Sequence, residues 1–572
     1  MTELYEHNHP LTIVGAGGAG LRSALAARGE GQKNIAVISK VKPTRSPTTC
    51  AQGGIAAVRT ESGSDSVSNH ISDTLRAGRG LADEDAVEFI CENGPEQIRK
   101  LENFGVPFSR NSENKIARRQ FPGHTSNKNP ARRLCYFHDR TGHVLMQTLH
   151  DQCRSDNNIS FYNEFFVLQL IVEDNKICGL LAYNIADGSL HKFNSRAVLL
   201  ATGGCGELFS VTSNSKSSTA DGFALALEAG LSVQDLEFMQ FHPTGVRQLG
   251  FLITEAARSH GGQLKNNNNK RFMKNYAPEK LELAPRDTVT RAIFTEINEG
   301  RGIDGKNFVN LDLTGIKRLP EKLPEVVNLS KNYLGIDPTL KPIPVRPTAH
   351  YMMGGIPTDL NGRVKYKNNI EGLYAAGECA CLSLHGANRL GGNSLLEINV
   401  MGMKTGQTIG RETKNEPISS PADKYTGKWI SMIEDFKDSS SNFSASKIKT
   451  ELQKTMTACN GVLRSENSLN RATEKIKSLA DKSRQIKISG NSKRYNYALV
   501  EIFELKNMLK TARLLTAAAL ERRETRGSHW RADYPETGGK KWRKHSLSRL
   551  AGGNPEVTYR PVTSIEQEED ES

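Results

Sequence analysis

Five short motifs carry side chains suited to gripping and transforming a small anion. F-H-P-T-G, Phe241 to Gly245, supplies His242; L-I-T-E-A-A-R, Leu252 to Arg258, supplies Thr254, Glu255 and Arg258; A-P-R-D supplies Arg286. P-T-A-H-Y-M-M-G-G-I-P-T, from Pro347, supplies His350, and H-G-A-N-R-L-G-G-N-S-L, His385 to Leu395, supplies Arg389, Ser394 and Leu395. Two arginines and two histidines converging on one pocket would suit a dicarboxylate, because guanidinium groups hold carboxylates through paired, charge-assisted hydrogen bonds. Singly, each has a blander role: a histidine before proline is more often structural, and an Arg-Asp dipeptide is commonly a surface or capping ion pair. What gives them weight is their company.

That company is a nucleotide-binding pattern. The apolar run Leu11 to Val14 enters G-A-G-G-A-G, which comprises Gly15, Ala16, Gly17, Gly18, Ala19 and Gly20; an alanine-rich helical stretch and a second β-type run, Asn34 to Ser39, follow. Strand, glycine turn, helix, strand is the first unit of a dinucleotide-binding fold, and A-V-L-L-A-T-G-G, Ala197 to Gly204, reads as another buried strand of the same sheet. The second strand ends in Ser39-Lys40, not in the Asp or Glu that often holds a ribose. Between about 236 and 348 the chain is more polar and contains N-N-N-N, Asn266 to Asn269, which reads as an exposed loop tip. Nucleotide-fold character returns in I-E-G-L-Y-A-A-G-E, Ile370 to Glu378, so the intervening segment reads as an inserted domain. The expected organisation is α/β: a Rossmann-like domain over 1–235 and 349–416, an inserted domain over 236–348, a C-terminal helical domain over 440–525, and a small region over 526–572 whose tail, E-Q-E-E-D-E-S, is too acidic to fold.

A chain of 572 residues, 37% of them hydrophobic, is long enough for two or three cores. The formal charge of +13 is spread along the chain without an RNA- or DNA-binding motif, so no nucleic-acid partner is expected. No stretch approaches the roughly 18 to 20 apolar residues of a membrane span. The start, M-T-E-L-Y-E-H-N-H-P, lacks the features of a signal or transit peptide, which points to a cytoplasmic protein. The nine cysteines are scattered, with only Cys379 and Cys381 close in sequence, so reduced structural thiols and no metal or iron–sulfur site are expected.

The chain resembles the flavoprotein subunits of succinate dehydrogenase and fumarate reductase from Leu11 to about Leu547. The resemblance rests on K-V-x-P-T-R-S…A-Q-G-G-I, H-D-R-T-G-H, Q-F-H-P-T-G, the Pro347 and His385 motifs, R-R-E-T-R-G-S-H-W-R-A-D-Y-P and W-R-K-H-S-L. It implies a capping role and an α+β structure for the inserted domain, a helical bundle after it, and an FAD cofactor. The FAD pyrophosphate would lie over Gly15 to Gly20, with Glu378 on the adenine-side or adjoining ribose. Ser39, Lys40, Ser46, Thr48, Gln52, Gly53, Gly54, Asp221, Ser394 and Leu395 would surround it. It implies further that His242, Thr254, His350 and Arg389 hold succinate or fumarate, and that Arg286 exchanges a proton through Glu255 and Arg258. Partners would be an iron–sulfur subunit and a membrane anchor, at the cytoplasmic face of the cell membrane. One residue departs from the family's pattern: Pro47 stands where a histidine usually links the flavin, so non-covalent FAD is expected, with a thioether to Cys50 as the minor alternative.

Two rival readings share some of these motifs. L-aspartate oxidase, a soluble relative with non-covalent FAD, carries an acidic residue for the substrate amine where this chain has Phe121, and phenylalanine cannot pair with an ammonium group. A non-catalytic subunit that only binds FAD or a dicarboxylate would suit the loss of the linking histidine. It leaves the intact acid–base and carboxylate-binding positions without a purpose.

Overall fold

The computed structural model describes residues 3–59, 65–126, 129–365, 369–414, 417–418, 425–435, 443–487 and 492–563. The expected acidic tail, 566–572, and the expected boundaries at 416 and 440 lie outside them.

Five parallel strands form the central sheet in the order Leu373–Ala375, Ala197–Leu200, Leu11–Val14, Ile35–Ser39, Ile159–Asn163. Leu11–Val14 and Ala197–Leu200 are buried throughout, as short apolar runs covered on both faces should be. The strand at Leu373–Ala375 is contributed after the insertion, which explains why nucleotide-fold character resumes there. Both strands flanking Leu11–Val14 follow it in the chain and lie on opposite sides of it, so a crevice opens beyond its carboxyl end, where open α/β sheets bind ligands.

Helix Gly18–Gly29 covers this sheet and lies against helix Asn393–Glu412. The second helix presents Gly402, Gly406 and Gly410 to the first, one every four residues. A Cβ at Gly406 would stand 2.2 Å from the Ser23 carbonyl oxygen, so the two backbones touch where no side chain fits. A separate sheet combines the N-terminal strand Leu4–Asn8 with Leu190–Asn194, Lys176–Asn184 and Phe165–Glu173.

The insertion is built on an antiparallel sheet ordered Met239–Val246, Ile343–Met352, Val309–Asp312, Gln263–Lys265, with helices Glu255–Ser259, Arg286–Asn298 and Pro324–Leu334. Strand Ile343–Met352 runs straight through the boundary expected at 348, because its residues 345–352 pair with Met239–Val246 on both sides of that position. The four asparagines differ from expectation at one position. Asn266 is buried and its Nδ2 donates to Glu296 Oε2 at 2.7 Å, while Asn267 to Asn269 are exposed. Asp139, from the nucleotide-binding part, accepts the N–H groups of Glu325 (2.9 Å) and Val326 (3.1 Å), clasping the exposed start of helix Pro324–Leu334.

Helices Ala445–Cys459, Glu466–Ser483 and Tyr497–Glu521 pack on one another and share a core with strands of the nucleotide-binding part. Ser444 caps the first, and Ser465 forms a reciprocal capping box with Ser468 on the second. A hairpin, Lys544–Ala551 with Asn554–Pro561, follows and joins Val233–Gln234 in a three-stranded sheet. All nine cysteines are free thiols, and only Cys50 is exposed.

Candidate active site

One cavity of about 670 Å³ connects the glycine turn to the insertion. At one part of it the turn makes a cradle. Gly15 has φ +113°, and a Cβ there would stand 2.1 Å from the Ala201 carbonyl oxygen. Helix Gly18–Gly29 begins with no side-chain cap, and the Gly18 N–H reaches Thr48 Oγ1 at 3.3 Å, so its N-terminal turn faces the cavity ready for an anion. Ser46 Oγ, Gln52 Oε1 and Thr202 Oγ1 are buried there without a hydrogen-bond partner among the described residues. A phosphate-rich, multiply hydrogen-bonding cofactor fits such a lining.

Of the expected cofactor contacts, Gly15 to Ala19, Ser39, Lys40, Ser46, Thr48, Gln52, Gly53, Gly54, Asp221, Glu378, Ser394 and Leu395 line this cavity. Gly20 does not line it: it sits inside the helix, where a Cβ would stand 1.9 Å from the Gly15 carbonyl oxygen, so it permits close packing. Lys40 and Asp221 reach the cavity, yet their charges face each other. Lys40 Nζ lies 2.7 Å from Asp221 Oδ2, 2.7 Å from Glu504 Oε1 and 2.6 Å from Thr219 Oγ1. Burial would lower the Lys40 pKa, but the two carboxylates prevail and raise it. Glu504, from helix Tyr497–Glu521, had no motif to announce it.

The Glu378 carboxyl accepts from Met352 N at 3.0 Å. Burial raises its pKa to about 7 against the pull of that N–H and of Arg389.

There the five motifs do converge. His242, Thr254, Glu255, Arg286, His350 and Arg389 all line the cavity, with Arg258 directly behind Glu255. Arg286 Nη2 donates to Glu255 Oε2 at 2.8 Å, and Arg258 Nη2 to Glu255 Oε1 at 2.7 Å, so one buried carboxylate joins two guanidiniums. Burial would push the Glu255 carboxyl up, yet the two arginines override it and hold it at about 2. Gln240, which the motifs did not flag, fixes the other side of Arg286 through Oε1 at 2.8 Å, while its Nε2 donates to Asn388 Oδ1 and the Arg389 carbonyl oxygen, each at 2.9 Å.

Hydrogen bonding assigns both histidine tautomers. Arg389 Nη2 donates to His350 Nε2 at 3.0 Å, so His350 carries its proton on Nδ1 and donates to Ser213 Oγ at 2.7 Å. His242 Nδ1 accepts from Thr244 N at 3.2 Å, which leaves a buried Nε2–H with no partner among the described residues. Burial, and then the neighbouring arginines, drive both imidazoles well below their ordinary pKa. Thr254 caps helix Glu255–Ser259 by accepting from Ala256 N at 3.3 Å, which leaves its hydroxyl hydrogen free. Arg286 Nε and Arg389 Nε are likewise buried and unpartnered among the described residues. Buried donors that no protein acceptor satisfies are what an anion site requires. Phe121, buried in the same wall, offers no charge to an ammonium group.

Among the described residues no group of three or more His, Cys, Asp or Glu could hold a metal, and no helix is long and apolar enough to cross a membrane.

A glycine cradle on a parallel sheet, with a cationic pocket between it and the inserted segment, defines a dinucleotide-binding α/β protein with a site for a small anion. Comparison with known proteins narrows the class. Residues 11–395 match the FAD binding domain model, and 449–569 match that of the fumarate reductase flavoprotein C-terminus. The chain is 41% identical to the succinate dehydrogenase flavoprotein subunit of Rickettsia bellii, over 98% of this chain and 97% of that one. It is 37% identical to the fumarate reductase flavoprotein subunit of Mycobacterium tuberculosis, over 97% of each. The solved structure of the FrdA subunit of E. coli quinol fumarate reductase, in a mutant form, superposes with a TM-score of 0.92 at 34% identity, over 98% of each chain. The chain belongs to the succinate dehydrogenase/fumarate reductase flavoprotein family, and the aspartate oxidase reading is set aside.

Proposed function

We propose that this protein interconverts succinate and fumarate, as the flavoprotein subunit of a complex completed by an iron–sulfur subunit and a membrane anchor at the cytoplasmic face of the membrane. The observation that carries the reading is the convergence of Arg286, Arg389, His242, His350 and Thr254 on one cavity, with Glu255 bridging Arg286 to Arg258 behind it. The cradle from Gly15 to Ala19, with Ser46, Thr48 and Gln52, would hold FAD without a covalent bond through residue 47, since proline has no nucleophilic ring nitrogen. When bound, the flavin supplies the hydride acceptor and donor.

Arg389, the His242 Nε2–H and the Thr254 hydroxyl grip the two carboxylates, and His350, expected beside them, orients the Arg389 guanidinium through its Nε2. A guanidinium suits this because it donates in a planar fork. Packing a dianion against fixed cations with water excluded favours charge building at the carbon beside a carboxylate, which is where a proton must be exchanged. Arg286 makes that exchange. An arginine is a poor acid or base alone, with a pKa above about 12, and the direct bonds to Glu255 and on to Arg258 provide the relay that returns it to the protonated state. In this reading the insertion, 236–348, caps the nucleotide-binding part and brings Thr254 and Arg286 to it.

The test is spectroscopic. Succinate added to the oxidised, FAD-loaded protein should bleach the flavin band, and Arg286→Lys should abolish bleaching and turnover at unchanged FAD content. Lysine keeps the charge but loses the fork, and a misplacement of about an ångström costs roughly a hundredfold. Near-normal turnover in Arg286→Lys would refute the relay; an unreduced flavin in the wild-type protein would refute the activity.

A further inference from the structure

Behind Arg389, on the side away from Glu255, lies a buried cluster that the reaction described above does not use. Its centre is Glu397, on helix Asn393–Glu412 one turn after Ser394 and Leu395. The carboxylate is 3% exposed and pairs with no lysine or arginine among the described residues. Two groups donate to it: the Tyr351 hydroxyl reaches Glu397 Oε2 at 2.7 Å, and His385 Nε2 reaches the same oxygen at 2.9 Å. Tyr351 and His385 are each 4% exposed. His385 Nδ1 has no partner among the described residues, which fits a neutral ring donating from Nε2.

A carboxylate buried this deeply is costly unless a positive charge offsets it. A positive charge stands against Tyr351: the Arg389 guanidinium carbon lies 4.2 Å from the centre of the tyrosine ring. A phenol that donates its proton to a carboxylate has a more electron-rich ring, and an electron-rich ring holds a cation on its face more strongly. Burial, followed by Glu397, pushes the Tyr351 pKa well above its ordinary value, so the hydroxyl keeps its proton and the link stays intact. His385 and Arg389 are the two ends of H-G-A-N-R. One carboxylate therefore holds the start of that loop directly and its end through an aromatic ring.

We infer that Glu397 positions Arg389 for the substrate carboxylate, acting through Tyr351 and steadied by His385. Glu397 and His385 are positioning residues, for neither lines the cavity. With the link in place the guanidinium rests against the ring, bonded to His350 and with Nε free for the anion. Without it, Arg389 keeps its charge but loses the plane that fits a carboxylate.

The inference rests on the dicarboxylate reading, and the experiment separates the two. Wild-type, Glu397→Gln, Tyr351→Phe and double-variant proteins, each loaded with FAD, are titrated with succinate by flavin absorbance and assayed for KM and kcat. Each single variant should raise the succinate KM about tenfold with a smaller fall in kcat, and the double variant should be no worse than the poorer single one, because both cut the same link. A structural role alone would lower thermal stability with KM unchanged, or give additive effects, and either result overturns the inference. Tyr351→Phe keeps ring and volume, so it decides the matter if Glu397→Gln fails to retain FAD. Wild-type protein that ignores succinate would remove the dicarboxylate reading itself, whereas variants that match a responsive wild type remove only this inference.

Discussion

Pro47 lies in the loop that lines the cavity beside Thr48, Cys50 and Gln52, and it offers no atom that could attack a flavin methyl carbon. Acid precipitation of the holoprotein should therefore release yellow FAD into the supernatant. Flavin retained in the pellet would contradict this, and mapping it to Cys50 would identify a thioether. In the linked members of the family the histidyl bond withdraws electrons from the flavin and raises its potential, and every 30 mV or so is worth about 1.4 kcal/mol for a two-electron couple. Pro47→His, once attachment is verified, should then raise succinate oxidation relative to fumarate reduction; an unchanged ratio would show that non-covalent contacts already set the potential. The two substrate histidines permit a pH prediction. Both have their acceptor nitrogen filled by a donor and both are held well below the usual imidazole pKa by burial and nearby arginines. They stay neutral near pH 7, so succinate affinity should vary less than about twofold between pH 6.5 and 8, and a tenfold gain per unit of acidification would refute neutrality. Unfolded histidines take up protons near pH 6.5 that the folded ones refuse. Their contribution to stability is thus complete above that value and is lost as pH falls towards their folded pKa, which denaturant midpoints would track.

Helix Asn393–Glu412 serves three purposes at once: its start faces the cofactor cavity, Glu397 lies behind Arg389, and its Gly402, Gly406 and Gly410 face lets helix Gly18–Gly29 approach. Gly406→Val would drive a side chain into the Ser23 backbone, and overpacking of this kind costs about 1–3 kcal/mol or more. The expected result is a lower denaturation midpoint together with weaker FAD retention, because the displaced helix carries the anion-binding turn. Unchanged FAD retention in a destabilised variant would show that the cradle is independent of this packing. The strip is visible in the sequence as glycines four apart, but such spacing has meaning only once the neighbouring helix is known.

Across the whole molecule, residues far apart in the chain tie the helical domain to the cavity. Lys40 joins Asp221 to Glu504, and Asn507 Nδ2 adds a bond of 3.0 Å to Asp221 Oδ1. Glu504→Gln should cost about 1–3 kcal/mol of stability, in line with a weakened buried charged hydrogen bond, and should raise the FAD dissociation constant, measured by flavin fluorescence. An FAD affinity equal to wild type would confine the pair to domain docking.

The order strand, glycine turn, helix, strand was legible in the sequence because backbone geometry leaves few residues able to make that turn, and Gly15 with its positive φ is one of the places where that limit holds. Which residues meet in the pocket was legible for a similar reason: only a few side-chain types suit carboxylates or proton relays, and they occur in compact motifs whose members line one cavity. Strand and loop limits were less so, since Ile343–Met352 crosses the expected domain edge and Asn266 turns inward to Glu296. Gln240, Tyr351, Glu397 and Glu504 are ordinary residue types whose roles depend on partners as remote as Lys40 is from Glu504, 464 positions apart. Sequence order records no such distance; the tertiary fold decided which charges would meet, because a charge removed from water must find its partner wherever the packed chain places one.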